Sequence, residues 1–320
     1  MTQASPRVAD LDMEAAEGLL AELDLEVEKY VGELDYRYAA AYASRGHMRF
    51  AAGGSAESVL DDFWMASRCL AANPGMHLIR HAPEQLLTRR IMPVELGLLG
   101  GQIDLAKRLA AVYGLPLVIG RAGLADAQLE AELRTLSPGL LGEPLRHPQH
   151  LLGLAAAVYA GCLGSAVRGF EDEVRMGLGL LSGAIFDGEL TAAQHGTMAR
   201  YGGLCTALLE LTQPGERHLE AILADQIERY AAQTRAAHGQ GYARPTAPRR
   251  YMDTSSMAIL ALARLAGYPL GAFPPDPSAT PNAARYQDFL DAMAQQREQP
   301  AEGVAGQGLA VGGEEGEEEP

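Results

Sequence analysis

The segment of residues 151–212 constrains the fold of this chain more than any other, because it is apolar and has helical periodicity. Residues 151–163 form an almost continuous apolar run, and residues 176–186 resume it after a polar break at 168–175. A further apolar segment follows from 191 to 211. Alanine, glycine and serine alternate with leucine, a composition typical of helices that pack closely on several neighbours. The segment is predicted to be the central layer of an all-α domain, with little of it facing solvent.

Apolar segments separated by glycine and proline turn signals extend along most of the remaining chain. Hydrophobic residues make up 48% of the chain and aromatic residues only 6%, and β-branched residues are sparse, which favours helix over strand. Besides the central layer, helices are predicted at residues 12–32, 34–52, 55–73, 83–99, 104–113, 125–136, 216–238, 257–265 and 282–297. The predicted fold is an irregular multi-helix bundle of antiparallel helical pairs that is partly solenoid-like.

Differences in composition set the predicted domain organisation. Residues 1–9 are expected to be a flexible N-terminus, and residues 10–297 a single all-α domain. Residues 138–148 contain three prolines and two glycines, so a boundary between two lobes is expected there if the domain divides. Residues 298–320 are rich in glycine and glutamate, which predicts a disordered acidic tail.

The charge of the chain argues against nucleic acid as a ligand. The formal net charge is −15, and the seven glutamates of residues 298–320 have no basic counterpart there, which leaves −8 on residues 1–297. A protein that binds DNA or RNA needs a basic face to neutralise phosphates. The acidic body is compatible with a basic protein partner, and equally with a charge that serves solubility alone.

The cysteines and the hydropathy profile predict a cytoplasmic protein. Cys69, Cys162 and Cys205 lie in apolar helical segments and are expected to be buried, reduced thiols. The N-terminal region has no apolar run, so no signal peptide is predicted. No stretch approaches the ~20 apolar residues of a transmembrane helix, so no membrane partner is expected.

Acidic residues are most concentrated on the predicted first helix. Its polar face carries Glu14, Glu17, Glu22, Asp24, Glu26 and Glu28 against Lys29 alone. This is more acid than the helix dipole requires at its first turn. The apolar residues of the same helix are Leu19, Leu20, Leu23, Leu25 and Val27.

A second acidic group, Asp61 and Asp62, lies beside the only tryptophan, Trp64. One interpretation is structural, with both acids in the first turn of their helix where they favour its dipole. Another is an interface patch that mixes acids with an aromatic anchor. The aspartate-rich helix of isoprenoid enzymes needs another acid at position 65, where this chain has Met65, and a second Mg²⁺-binding cluster.

A third acidic group, Glu171, Asp172 and Glu173, interrupts the central layer. It is interpreted either as a solvated corner or as part of an acidic recognition surface. Neither interpretation requires a metal or a cofactor.

No motif in the chain predicts catalysis. His77 and His81 have the i, i+4 spacing of metal ligands, but no third ligand is evident, and His147 and His150 are interpreted as a helix start. The glycines do not form a nucleotide-binding loop, and no serine lies in a nucleophile elbow. No cofactor and no metal are therefore predicted, and the protein is expected not to be an enzyme.

Three features carry a resemblance to a known family. They are the predicted helical pair over residues 57–113 with its glycine turn at 100–101, the segment 151–163 with its acidic break, and the buried helix 253–267 followed by Tyr268-Pro269. Over residues 35–270 the chain resembles the acidic, all-α immunity proteins of bacterial polymorphic-toxin and type VI secretion systems. It is most similar to immunity protein family 49 and related helical nuclease-immunity proteins.

The resemblance implies a non-catalytic protein that binds its cognate toxin, expected to be basic and of nuclease type, and occludes the toxin's active site. An acidic surface would mimic the phosphate field that a nuclease binds, and aromatic anchors would slow dissociation. The expected toxin-binding residues are Glu17, Asp24, Glu28, Tyr42, Asp61, Asp62, Trp64, Glu171, Asp172 and Glu173.

Two alternatives stay open. One is a helical scaffold or adaptor with a different partner. The other is an α-helical metal-dependent enzyme that uses Asp61, Asp62 and the acids of residues 171–173, which requires these acids to lie on one face. The sequence does not determine the oligomeric state.

Overall fold

A computed structural model describes residues 13–29, 34–72, 83–114, 151–183, 189–212, 218–239, 252–271, 273–275 and 283–298. These ranges contain eleven α-helices, one short 3-10 helix and no β-strand, so the all-α multi-helix prediction is confirmed. Several predictions lie outside the described residues. They are the N-terminus at 1–9, the helix at 125–136, the boundary at 138–148, the tail from 299 onward, and His77, His81, His147 and His150.

The helices follow the predicted order along the chain. They are α1 (Met13–Glu28), α2 (Ala39–Ala52), α3 (Ala56–Ala72), α4 (Pro83–Leu99), α5 (Ile103–Tyr113), α6 (Leu151–Arg168), α7 (Glu171–Ser182), α8 (Ala192–Thr212), α9 (Leu219–Gly239), α10 (Thr254–Leu265) and α11 (Ala283–Glu298). Several boundaries differ from the prediction, and α10 begins at Thr254 instead of residue 257. A 3-10 helix, Tyr36–Tyr38, precedes α2, and α11 includes the first residue of the predicted tail.

Helix α6 is the centre of the fold. Leu154, Tyr159 and Leu163 are at most 2% exposed, as are most residues between them. The helix packs against α4, α5, α7 and α8, and its small residues permit these close contacts. The prediction that little of residues 151–212 faces solvent is wrong for the first half of α8, because the buried residues of that helix begin only at Leu204.

A glycine turn brings the pair α4–α5 close to α3. A Cβ atom at Gly100 would lie 2.7 Å from the Cα atom of Trp64, so no larger residue fits without a shift of backbone. Gly101 has a φ of +73°, which L side chains rarely adopt. The two glycines therefore fix the turn and the packing of α4 against α3 together.

The C-terminal helices complete the core around α3 and α4. Helix α10 is buried from Ser256 to Ala263 and packs against α4, α8, α9 and α11. The three cysteines are buried and unpaired by disulfides, as predicted. Within the described part of the chain, no helix combines the length and the hydropathy that a bilayer crossing requires.

Candidate functional site

The outer face of α1 is an exposed acidic surface with an apolar centre. Glu14, Glu17, Glu22, Glu26 and Glu28 are all exposed, and none forms an ion pair with another described residue. Leu25 is 60% exposed, more than any other large hydrophobic side chain of the described residues. We call these five glutamates and Leu25 the α1 acidic face.

Helix α1 is held on the body of the protein by an ion-pair network. The Asp24 carboxylate lies 3.1 Å from Arg45 and 3.0 Å from Arg49, both on α2. The same two guanidinium groups bind Asp62 of α3 at 2.6 and 3.1 Å. Burial raises the pKa of Asp62, and both arginines counter this by favouring its charged form. Asp24 and Asp62 therefore connect three helices.

Burial removes three of the ten predicted toxin-binding residues from the accessible surface. Tyr42 is 4% exposed and lies against Arg45, whose guanidinium carbon is 5.4 Å from the ring centroid. Asp62 is 1% exposed, and Glu173 is 4% exposed and accepts a hydrogen bond from Ser165 Oγ at 2.8 Å. All three side chains lie in the interior of this structure.

Asp61 of the second acidic group and the adjacent Trp64 lie at or near the surface. Asp61 is exposed, and Trp64 is half-buried beneath Arg68, whose guanidinium carbon lies 4.8 Å from the indole ring. The structural interpretation required both aspartates to lie in the first turn of their helix. Because α3 begins at Ala56, they lie in its second turn. The interpretation that the two acids favour the dipole of α3 is therefore wrong.

The third acidic group, residues 171–173, is divided between the surface and the interior of the protein. Glu171 and Asp172 are at the surface and pair with Arg175 at 2.8 and 3.3 Å. Helix α7 packs against α6 and α8, whereas α3, which carries Asp61 and Asp62, packs against α2, α4, α5 and α11. The described residues contain no group of three or more His, Cys, Asp or Glu side chains that could hold a metal ion. The acids that the metal-enzyme alternative needs are not gathered at one site.

A polar cavity that the sequence analysis missed lies between α4, α6, α8, α9 and the start of α10. Its volume is about 160 Å³. Ile91 and Met92 supply apolar lining, and Thr254 and Ser255 supply hydroxyl groups. The charged and aromatic lining residues are Glu95, Tyr159, Arg200, Tyr201, Tyr230 and Asp253.

One wall of this cavity is a buried ion pair. Both terminal nitrogens of Arg200 donate to the Asp253 carboxylate, at 2.7 and 3.1 Å. Asp253 also accepts hydrogen bonds from the Ser256 backbone N–H at 3.4 Å and from Ser256 Oγ at 2.7 Å, and the first of these makes it the N-cap of α10. The guanidinium carbon of Arg200 lies 4.8 Å from the Tyr230 ring centroid. Burial disfavours the charged guanidinium, but Asp253 raises the pKa of Arg200 above its usual value.

The other wall is a carboxylate with two tyrosine rings. Tyr159 donates its hydroxyl proton to Glu95 Oε1 at 3.0 Å, and its ring centroid lies 5.8 Å from that of Tyr201. Burial and the Glu95 charge raise the pKa of Tyr159 well above its usual value, while a hydrogen bond from Ser255 lowers it by less. Tyr159 is therefore a protonated donor at neutral pH and not a general base.

Comparisons of the chain with known protein families, with curated protein sequences and with solved structures found no match.

Proposed function

We propose that the protein is a non-catalytic binding protein of the immunity class, which binds a basic, nuclease-type toxin in the cytoplasm and occludes its active site. The observation that carries the proposal is the α1 acidic face. Five exposed carboxylates without an ionic partner among the described residues lie on the same side of α1 as one exposed leucine, and Glu22, Glu26 and Glu28 lie within about one helical turn of it. A partner with basic and apolar surface would neutralise this charge and cover this side chain.

The arrangement has the anatomy of a protein interface. Glu22 and Glu28 lie three residues before and after Leu25, so all three side chains share one side of the helix. An apolar centre within a polar rim is typical of interfaces, and charged rims accelerate association with a partner of opposite charge. The Asp24 network keeps the helix in place, which lowers the entropic cost of binding.

The structure supports a smaller contact set than the sequence did. Glu17 and Glu28 are exposed on the α1 acidic face, and Asp61 and Trp64 reach the surface of α3. Glu171 and Asp172 are accessible too, but Arg175 neutralises part of their charge. We propose the α1 acidic face as the principal contact, with Asp61 and Trp64 as the second.

The test is a pull-down of tagged full-length protein from the native cell at low and at high salt, with mass spectrometry of the bound proteins. We expect one basic partner, released by salt, encoded next to this gene and toxic when expressed alone. Recovery of several unrelated partners would replace the proposal with a scaffold. Absence of any partner at low salt would contradict both.

A further inference from the structure

Two adjacent basic residues lie on the outer face of α5. Lys107 and Arg108 are exposed, and neither has an ion pair, a hydrogen bond or an aromatic ring as a partner among the described residues. Every other lysine or arginine outside α1 whose side chain the structure describes has at least one such contact. These two cations are therefore available to an acidic partner.

The same face of α5 exposes an apolar side chain. Val112 is 47% exposed, which among the large hydrophobic residues of the described ranges is second only to Leu25. It lies four residues after Arg108, so the two side chains share one side of the helix. Asp104 is the only acid of α5. We call Lys107, Arg108 and Val112 the α5 basic face, which combines an apolar side chain with charge as interfaces do.

The α1 acidic face has the complementary composition. Its exposed apolar side chain is Leu25, and Glu22 and Glu28 lie three residues before and after it, about 4.5 Å along the helix axis. On α5 the nearer cation lies four residues before the exposed valine, about 6 Å along the axis. When the two apolar side chains meet, a glutamate therefore lies beside the cations whichever way the helices run.

The two faces lie on different parts of the molecule. Helix α1 packs against α2, and the ion pairs of Asp24 with Arg45 and Arg49 fix it there, whereas α5 packs against α3, α4 and α6. We propose that the α5 basic face of one copy of the chain binds the α1 acidic face of a second copy. Because the two faces differ, the contact is head-to-tail and repeats into a ring or a chain of copies.

This self-association regulates the surface that we propose for the toxin. A contact between two helix faces is smaller than a standard protein interface, so it is weak and depends on concentration and salt. A copy whose α1 acidic face is occupied by another copy cannot bind a toxin there, so the two partners compete. The contact itself needs no toxin, and purified protein is sufficient to measure it.

The first experiment is sedimentation velocity of the purified full-length protein over a range of concentrations. At about 20 mM salt we expect the mean mass to rise with concentration above the 34.0 kDa of one chain. At about 500 mM salt it should return to one chain, because salt screens the charges. A single chain at every concentration in low salt would overturn the proposal.

Charge reversal tests the α5 basic face. Lys107→Glu, Arg108→Glu should weaken self-association at least about tenfold, because two attractions become repulsions. The matched control is Arg175→Glu, Arg229→Glu, which makes the same change in net charge at two exposed cations that have acidic partners of their own. Its self-association should stay within about twofold of the wild type. Equal losses in the two proteins would overturn the role of the α5 basic face.

A mixture of two variants tests whether these two faces bind each other. Glu22→Lys, Glu28→Lys should also fail to self-associate alone, because both of its faces are then basic. Mixed with the α5 variant in equal amounts it should form complexes, since each protein offers the charge that the other lacks. A mixture that stays monomeric would overturn the pairing of the two faces.

The α5 variant separates this proposal from the proposed function. Its α1 acidic face is unchanged, so in the pull-down it should recover at least as much basic partner as the wild type. Loss of self-association with full recovery of the partner would support the competition between the two. Loss of both would overturn the assignment of the α5 basic face to self-association alone.

Discussion

The α1 acidic face and the cavity beside α10 both carry several carboxylates, but they use them in opposite ways. On α1 the glutamates are exposed and make no ion pair with a described residue, and a leucine stands exposed among them. In the cavity Asp253 is fully buried and bonded to Arg200, and Glu95 accepts a hydrogen bond from Tyr159. The first group produces a field outside the protein, and the second fixes positions inside it.

The difference shows that location, and not the number of acids, decides what a carboxylate contributes. A buried carboxylate depends on its partners because desolvation is costly, so its removal should destabilise the fold. An exposed one contributes little to stability and remains available to a partner. The same contrast separates Asp62, which is buried, from its neighbour in sequence Asp61, which is exposed.

The largest effect is expected at Asp253. Asp253→Ala leaves the Arg200 guanidinium buried without its carboxylate and removes the cap of α10, so the free energy of unfolding should fall by about 3–5 kcal/mol. Urea unfolding followed by circular dichroism measures this. The control is Asp172→Ala, at an exposed pair, where the loss should stay below about 1 kcal/mol. Similar losses in the two variants would contradict the comparison.

Asp62 and Asp61 provide a matched pair on one helix. Asp62→Ala leaves Arg45 and Arg49 without their buried partner and should cost about 3 kcal/mol of unfolding free energy. Asp61→Ala should change it by less than about 0.5 kcal/mol, since Asp61 is exposed. Hydrogen exchange of α1 should accelerate in an Asp24→Ala variant, because Asp24 joins that helix to Arg45 and Arg49. Unchanged exchange of α1 would show that the ion-pair network does not hold this helix in place.

Leu23 and Leu25 test the two sides of α1. Leu23 is 7% exposed and packs with Ala16 and Met48, so Leu23→Ala should cost about 2–3 kcal/mol. Leu25→Ala should cost less than about 0.5 kcal/mol but should reduce the amount of partner that is recovered. A large loss of stability in the Leu25 variant would place that side chain inside the protein and end its assignment to an interface.

The buried tyrosines predict how stability depends on pH. Burial raises the pKa of Tyr159 and of Tyr286 in the folded protein, while the unfolded chain has tyrosines of pKa about 10. Above that pH the unfolded state loses protons that the folded state keeps. The contribution of these tyrosines to stability should therefore be constant below pH ~9 and fall above pH ~10, by up to about 1.4 kcal/mol per pH unit for each buried tyrosine.

Urea unfolding at a series of alkaline pH values gives this slope, and tyrosinate absorbance should appear together with unfolding. Tyrosinate absorbance from both residues in a still folded protein would show that they are accessible.

A similarly small change in stability is expected from charge reversal on the α1 acidic face itself. The double variant Glu17→Lys, Glu28→Lys should alter the unfolding free energy by less than about 0.5 kcal/mol, because both side chains are exposed and unpaired with described residues. Circular dichroism and urea unfolding measure it. A large loss of stability would show that these charges support the fold.

The fold could be predicted from sequence because its helices are long, apolar and separated by glycine and proline. The bounds of α4 were predicted to the residue, since Pro83 begins it and Gly100 follows it. The orientation of Leu25 was also encoded, because Ala16, Leu23 and Val27 share one helical side and Leu25 is out of phase with them.

The cavity could not be predicted, because its contacts join distant parts of the chain. Arg200 and Asp253 are 53 residues apart, and Tyr159 and Glu95 are 64 apart. The only local signal was a charged residue inside an apolar helical run, as at Glu95, which is typical of a buried and bonded group. A similar signal for the burial of Asp62 was the pair of basic residues Arg45 and Arg49, which are spaced i, i+4 on α2.

The most direct test of the α1 acidic face is the amount of basic partner that three tagged proteins recover from the native cell at low salt. They are the wild type, the Glu17→Lys, Glu28→Lys variant, and an Asp172→Lys variant that reverses an exposed acid on α7. We expect the α1 variant to recover less than about a tenth of the wild-type amount and the α7 variant to recover most of it. Equal recovery by all three proteins would contradict the assignment of the α1 acidic face as the binding surface.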